Sequence, residues 1–585
     1  MTRFVLLVFL FLCCAFGPIV FGTTAMAQQG KNSQGAVDRE EIKSLLAKGR
    51  SLLGANKLAE AEKVFREAKK KYPAVSGAVY LLGFTLQAQK KYGEALENYE
   101  VAKLAPQLKA TCLYNIAGIH AIENRKEKAF QALDAAIDAG FKNFGNLESD
   151  PNFANIKTDP RFQKLLPKKL ADKELFLEPT QILHKFVGET AGDQFGWTAR
   201  KAGDLDKDGV LDFVTTAPTF NKGAGKIYVY SGKTGKEIFA VAGKTGDRLG
   251  NSAVGVGDVN GDEIPDILAG APASGGTGKA YLYSGKDGSL LRTWSGTKAK
   301  GQFGYEVSEA GDLDGDEVND VLVGEMNGDG KVSSSGAIHV YSGKTGAKLF
   351  SLAGERAGDC FGNAAAIANS KDHFLLAVGA QNAGPNNRGR VYVYSVSQGK
   401  TKLRFKIEGD ANSVNLGQMF ICFPGDLDRD GVPDVYASDF SDNTKVRGGG
   451  KVIVCSGIDG KNLLTIYGKV AGEGLGTSPS DAGDVDGDGV GDLIIGAWQN
   501  NQGAASGGKC YLYSCGTGKL LDSWTCKQSG DTLGFDACGI GDVNGDGRID
   551  FLLTSAWSNA KGAKTGRVFV VAGKDYRAKD YRGKE

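Results

Sequence analysis

The chain has 585 residues, and its 70 Lys and Arg nearly balance its 68 Asp and Glu, leaving a net charge of +2. That balance argues against a general polyanion binder, because nucleic-acid-binding proteins carry a clear basic excess. Gly is the outlier at 84 residues, about twice the usual share of ~7%, while Pro stands at only 14. This composition reads as many tight turns between short strands rather than as disorder.

At the N-terminus, Arg3 precedes an apolar run from Phe4 to Phe21 and then Ala25-Met26-Ala27, an A-x-A cleavage pattern. A signal peptide over 1–27 is predicted, with Gln28 the first mature residue; uncleaved, the segment would be a membrane anchor. The bulky Leu12 before Cys13 argues against a lipoprotein. No later apolar stretch is long enough to span a bilayer. The expectation is a secreted protein, extracellular or in the periplasm or cell envelope, with no membrane span after cleavage. An oxidising compartment permits disulfides among Cys112, Cys360, Cys422, Cys455, Cys510, Cys515, Cys526 and Cys538. One or two bridges are expected within 510–538, their connectivity left open. The absence of any C-x-x-C gives zinc and thioredoxin chemistry no support.

Between about 40 and 140 the sequence repeats every 34 residues. Ala61, Ala95 and Ala129 share one slot, Phe65, Tyr99 and Leu133 a second, and Ala68, Ala102 and Ala136 a third. Gly49, Gly83 and Ala117 mark an earlier slot, and Pro73 and Pro106 close two units. Small residues where helices touch, with a bulky residue in the groove, resemble the tetratricopeptide repeat. An all-α helical-repeat domain is expected over 38–167, ending in an irregular cap near Asp150-Pro151 and Asp159-Pro160, then a linker over 168–180.

From about 181 the texture changes to short strands and glycine turns, with a period of 54 to 58 residues. Its mark is Asp204-x-Asp206-x-Asp208-Gly209-x-x-Asp212, and the same frame starts at Asp258, Asp312, Asp426, Asp484 and Asp542. Upstream sits Phe-Gly or Leu-Gly, as in Phe195-Gly196 and Leu249-Gly250; downstream comes a turn such as Gly270-Ala271-Pro272. A further unit, opening at Phe361-Gly362, has no acidic frame over 368–373. These seven units resemble the FG-GAP repeat of integrin α N-terminal domains. The resemblance implies an all-β seven-bladed propeller over 181–575, followed by a polar tail over 576–585. The last unit lacks a fourth strand, and residues 181–187 match the missing one. They are expected to pair with 566–571 and close the ring, which removes two exposed strand edges.

Acidic side chains at positions 1, 3, 5 and 9, with the carbonyl of position 7, suit a hard cation such as Ca²⁺, which takes six to eight oxygen ligands. The candidate ligands are Asp204, Asp206, Asp208, Val210 and Asp212 in the first loop and Asp258, Asn260, Asp262, Ile264 and Asp266 in the second. The third offers Asp312, Asp314, Asp316, Val318 and Asp320, and the fifth blade Asp426, Asp428, Asp430, Val432 and Asp434. The last two offer Asp484, Asp486, Asp488, Val490 and Asp492, then Asp542, Asn544, Asp546, Arg548 and Asp550. About six Ca²⁺ ions are expected. Position 6 must turn sharply, so Glu263 and Glu317 predict strained loops in blades two and three. An EF-hand is excluded at position 12, where Thr215, Ala269, Val323, Ala437, Ile495 and Leu553 replace the bidentate Glu.

The four histidines, His120, His184, His339 and His373, do not cluster, and no G-x-S-x-G occurs. Gly-Lys-Thr-Gly at 232, 243 and 343 is no P-loop, since Ile227, Ile238 and Ile338 stand where its first glycine belongs; hairpin turns are expected. The leading reading is no enzyme but a binding or adhesion module for an extracellular or envelope protein or glycan, with no nucleic acid. The alternatives are a calcium-dependent polysaccharide lyase or hydrolase and a structural envelope scaffold.

Overall fold

The computed structural model of the protein describes residues 33–141, 147, 150–165, 170–330, 332–371 and 373–577. The expected signal peptide and its cleavage site lie outside these residues. Among the described residues no helix is long and apolar enough to cross a membrane. The chain divides into two compact units, Met1–Pro167 and Lys168–Glu585.

In the first unit, helices Ser33–Gly54, Leu58–Lys71, Ser76–Ala88, Tyr92–Ala102, Pro106–Ile122 and Lys126–Asp138 pack in succession. The 34-residue period is visible in burial: Ala61, Ala95, Ala129, Ala68, Ala102 and Ala136 are all fully buried, as are Phe65 and Tyr99. Close approach explains the earlier small slot, because a Cβ on Gly49 would stand 2.4 Å from the Phe65 ring. The turns keep the same period, with Asn56, Lys90 and Asn124 at φ of 57°, 62° and 58°. Beyond the last of these helices, Asp150 caps the turn Pro151–Phe153 by accepting from the Asn152 N–H at 2.8 Å. Phe153 and Phe162 then bury themselves against the helices.

The second unit is a ring of seven four-stranded antiparallel sheets. In blade one the strands are Ala199–Gly203, Asp212–Ala217, Lys226–Tyr230 and Glu237–Ala242, and the order follows the chain. The second strands of the six blades with acidic frames are buried along their whole length, as in Asp212–Ala217 and Asp492–Ala497. The Phe-Gly and Leu-Gly marks work between blades. Phe195, Leu249, Phe303, Phe361, Leu416, Leu475 and Leu533 each make a parallel bridge to a glycine of the preceding blade. At one such glycine, Gly225, a Cβ would stand 2.1 Å from the Leu249 carbonyl oxygen, so any side chain would force the blades apart.

The ring closes as the strand count requires. Ile182–Val187 pairs antiparallel with Arg567–Val571, and blade seven contains strands from both ends of the unit. Residues expected as linker add to this seam. Phe176 forms an antiparallel bridge with Cys526, and Leu177 N–H donates to the Thr525 carbonyl at 2.9 Å. The Glu178 carboxylate accepts from Thr525 N–H at 2.6 Å and from the Ser523 and Thr525 hydroxyls. Leu175 and Phe176 join the core with Trp524 and Phe569. Tyr576, expected in the polar tail, is buried there too, its hydroxyl donating to Asp522 at 3.0 Å.

The expected disulfides do not form: all eight cysteines beyond the signal region are free. Within 510–538 the cysteines fall into three cores, of which only one holds two of them. Cys510 and Cys526 lie with Trp524, Cys515 with Tyr436 and Leu493, and Cys538 with Phe195 and Phe213. Burial pushes the Cys538 thiol up to about 12.

Candidate metal centres

Each acidic frame connects the first and second strands of its blade, in blades one, two, three, five, six and seven. The position-1 carboxylate draws the loop around itself. Asp204 accepts from the N–H groups of Asp208 at 3.0 Å and Gly209 at 2.9 Å, and Asp484 accepts from Gly487, Asp488 and Gly489 at 2.7 to 3.0 Å. The position-5 carboxylate accepts the N–H of position 7, from Asp208 and Val210 at 3.0 Å to Asp546 and Arg548 at 3.0 Å.

Position 6 is left-handed in every loop, as expected: φ is 82° at Gly209, 65° at Glu263, 66° at Glu317, 89° at Gly431, 85° at Gly489 and 78° at Gly547. Sequence reasoning missed that position 4 is left-handed too. Lys207 and Arg429 stand there at 58° and 61°, where the other loops have glycine. So the loops of blades one, two, three and five each hold one strained side-chain-bearing residue, and those of blades six and seven hold none.

The acidic side chains converge. Ligand oxygens of Asp204, Asp206 and Asp212 lie within 4.8 Å of one another, as do those of Asp426, Asp428 and Asp434. In blades three and six the grouped residues are Asp312, Asp314, Asp316 and Asp484, Asp486, Asp488. The two loops with Asn at position 3 behave differently. Asn260 Nδ2 donates to Asp266 at 3.1 Å and Asn544 Nδ2 to Asp550 at 3.4 Å, so the amide bridges to position 9.

Position 9 carries a second job that the spacing alone does not reveal. Asp212, Asp266, Asp320, Asp434, Asp492 and Asp550 are all fully buried. One oxygen of Asp212 accepts from Leu205 N–H at 2.7 Å, inside its own loop; the other accepts from Gly232 N–H at 3.0 Å, in the hairpin joining strands three and four. Asp492 repeats this with Val485 and Cys515, and Asp550 with Val543 and Gly573. Each aspartate therefore ties the acidic loop to the blade's outer hairpin. Burial pushes Asp212, Asp266, Asp320 and Asp434 up to about 6 and Asp492 up to about 7, against the opposing pull of these N–H groups.

The Gly-Lys-Thr-Gly marks now have a physical role. At 232 and 343 they are strand-three-to-four hairpins, and their lysines reach the metal loops: Lys233 Nζ donates to the Asp208 carbonyl at 3.2 Å, and Lys344 Nζ to that of Asp316 at 3.0 Å. The copy at 243 instead leads from blade one to blade two. The donor set is all oxygen, arranged by short loops whose carboxylates repel one another, which fits a hard divalent cation such as Ca²⁺.

A family model described as FG-GAP-like repeat matches residues 204–269 and 258–323. Integrin alpha-PS5 of Drosophila melanogaster is 32% identical over 165 residues, which is 25% of this chain and 16% of that protein. Integrin alpha-V of Gallus gallus is 30% identical over 210 residues, 33% of this chain and 20% of that protein. Integrin alpha-6 of Gallus gallus is 32% identical over 176 residues, 28% and 16%. The chain spans a fifth or less of the length of these relatives. It carries FG-GAP repeats on a seven-bladed propeller homologous over those stretches to integrin alpha chains.

Proposed function

We propose that this protein is exported and acts as a calcium-loaded binding or adhesion module, taking a protein or glycan partner outside the cytoplasm. The observation that carries the metal reading is the grouping of three carboxylates within 4.8 Å in four separate loops. Without a cation, those charges would repel across a short gap in partly buried surroundings. We assign one Ca²⁺ to each of the six acidic loops, held by positions 1, 3, 5 and 9 and the position-7 carbonyl. The binding reading rests on the likeness to integrin alpha chains and on two scaffolds that commonly serve partners, a helical stack of tetratricopeptide type and a propeller. The test is a pull-down from the native extracellular fraction with and without chelator. A partner captured only with calcium supports the reading, and no partner in either arm counts against it.

A second reading has one observation in its favour. Glu306 lies on the first strand of blade three, beside the Arg200–Asp536 ion pair of blades one and seven, and burial pushes its carboxyl up to about 8. A carboxyl held protonated by burial can act as a general acid, which favours a polysaccharide-active enzyme as the second reading. Turnover on a polysaccharide panel that disappears in Glu306→Gln would establish it; the binding-module reading expects no turnover.

A further inference from the structure

Blade four lacks the acidic loop, and at that corner its chemistry is inverted. Its first two strands, Phe361–Ser370 and His373–Ala380, run straight into one another, with Ser370 paired to His373. Its outer strands, Arg390–Ser397 and Lys400–Glu408, are longer than their counterparts and turn directly at Gln398-Gly399. The extra length extends this blade's single sheet as a shelf at the corner where the other blades place carboxylates. In it lies a pocket of about 360 Å³ lined by His373, Ser395, Ser397, Lys400, Lys402 and Arg404 among others.

Lys400, Lys402 and Arg404 alternate along the outermost strand. Alternate residues of a strand are about 6.6–6.8 Å apart on one face, as Lys400 and Lys402 are, and Arg404, at the β-bulge opposite Val393 and Tyr394, lines the same pocket. Among the described residues, none of the three has a carboxylate partner, whereas Lys406, beyond the bulge, is paired with Glu355 at 2.6 Å. Arg404 is held in place: its Nη1 donates to His373 Nε2 at 2.8 Å and its Nη2 to the Ile458 carbonyl at 3.2 Å. Ser395 sits opposite Lys402 and Ser397 opposite Lys400, so each lysine has a hydroxyl beside it. The near-zero net charge of the chain conceals this local concentration.

We propose that this corner binds a linear anionic polysaccharide, whose regularly spaced sulfate or carboxylate groups meet Lys400, Lys402 and Arg404 while its hydroxyls meet Ser395 and Ser397. Three cations lining one pocket match a repeating polyanion better than a single phosphate, and the serines suit a sugar. The proposal rests on the binding-module reading and names its ligand class. A row of lysines on an edge strand also discourages edge-to-edge pairing, and that role alone predicts no saturable site.

The experiment titrates the full mature chain, in calcium and low salt, with dextran sulfate, with hyaluronate and with inorganic sulfate. The test variant is Lys400→Gln, Lys402→Gln, Arg404→Gln. The control removes the same charge at exposed lysines of other blades, Lys236→Gln, Lys286→Gln, Lys561→Gln. The expected result is saturable binding of at least one polymer, weakened about tenfold or more in the test variant and less than about twofold in the control. The polymer preferred identifies sulfate or carboxylate as the recognised group. Equal losses in both variants, or no wild-type binding to either polymer, overturn the proposal. Unchanged melting temperatures show that the variants fold. A calcium-dependent partner still captured by the test variant would leave the binding-module reading standing while the pocket fails.

Discussion

Calcium should reverse the sign of the propeller's response to mild acid. The perturbation is a change of pH from 7 to 5.5, applied to metal-free and to calcium-loaded protein. In the metal-free fold, burial raises Asp212, Asp266, Asp320 and Asp434 to about 6 and Asp492 to about 7, above the usual 3.8. A carboxyl whose folded pKa is raised makes the fold bind more protons than the unfolded chain, so stability grows as pH falls through 6 toward 4. From pH 7 to 5.5, each group near 6 contributes about 0.8 kcal/mol and Asp492 about 1.6 kcal/mol, together about 5 kcal/mol before other titrating groups are counted. With some 400 residues unfolding at about 2.1 cal/mol/K each, that is a rise of about 6 °C. A bound cation acts oppositely. It holds the same carboxylates ionised, their folded pKa falls below the unfolded value, and acid strips away both the ion and its stabilisation. The assay is differential scanning calorimetry of exhaustively demetallated protein with and without millimolar calcium across pH 5 to 8. The calcium-loaded curve should fall on acidification, and the metal-free curve should rise or stay flat. Parallel curves, or a melting temperature indifferent to calcium at pH 7.5, would refute the reasoning.

Other consequences are equally direct. Lys207→Gly and Glu263→Gly should each stabilise the protein by about 0.5–1 kcal/mol in urea unfolding, since relief of about 1–2 kcal/mol of left-handed strain exceeds the entropic cost of glycine; the same change made in reverse at Gly489 should destabilise. Asp492→Ala should cost about 3 kcal/mol or more, because the buried N–H groups of Val485 and Cys515 each lose an acceptor, and unfolding with calcium present is the check. Asp484→Ala should lower calcium stoichiometry in equilibrium dialysis from six to five. A chain starting at Gly188 should aggregate, as blade seven loses its outer strand; one starting at Pro179 should fold but melt lower than one starting at Lys168, having lost Leu175, Phe176 and Glu178 from the seam. Equal solubility and stability of all three would contradict the closure seen here.

Much of this architecture was legible because repetition in sequence becomes repetition in contact. The 34-residue slots are buried helix contacts, and the Phe-Gly marks are the parallel bridges between blades. Two physical limits hid the rest. Position 4 escaped notice because Lys207 and Arg429 occupy it in two loops, and a left-handed lysine leaves no trace in a spacing pattern. The second job of position 9 depends on Gly232 and its counterparts, about 20 residues downstream, and only the fold brings their N–H groups to the carboxylate. The segment Leu175–Glu178 looked like linker because four residues carry no periodicity, although Glu178 alone accepts three hydrogen bonds. The expected disulfides failed in part for a related reason: closeness along the chain does not put Cys515 or Cys538 into the core that Cys510 and Cys526 share, and those two are both free.

Strain is not scattered at random around the ring. The two loops with glycine at both left-handed positions, Gly487 with Gly489 and Gly545 with Gly547, belong to blades six and seven. Those blades hold the seam, where one strand comes from the far end of the unit and Leu175–Glu178 is laid across the outer edge. Opening of the ring must begin there, because every other blade is continuous in sequence and loses nothing when the termini separate. The proposed cation would tighten such an unstrained loop and, through Asp492 or Asp550, the outer hairpin of the same blade. The Asp550 hairpin is built at Gly573, directly after the strand that pairs with Ile182–Val187. Asp550 thus couples the acidic loop of blade seven to closure, with one oxygen on the loop and the other on the residue that follows the seam strand.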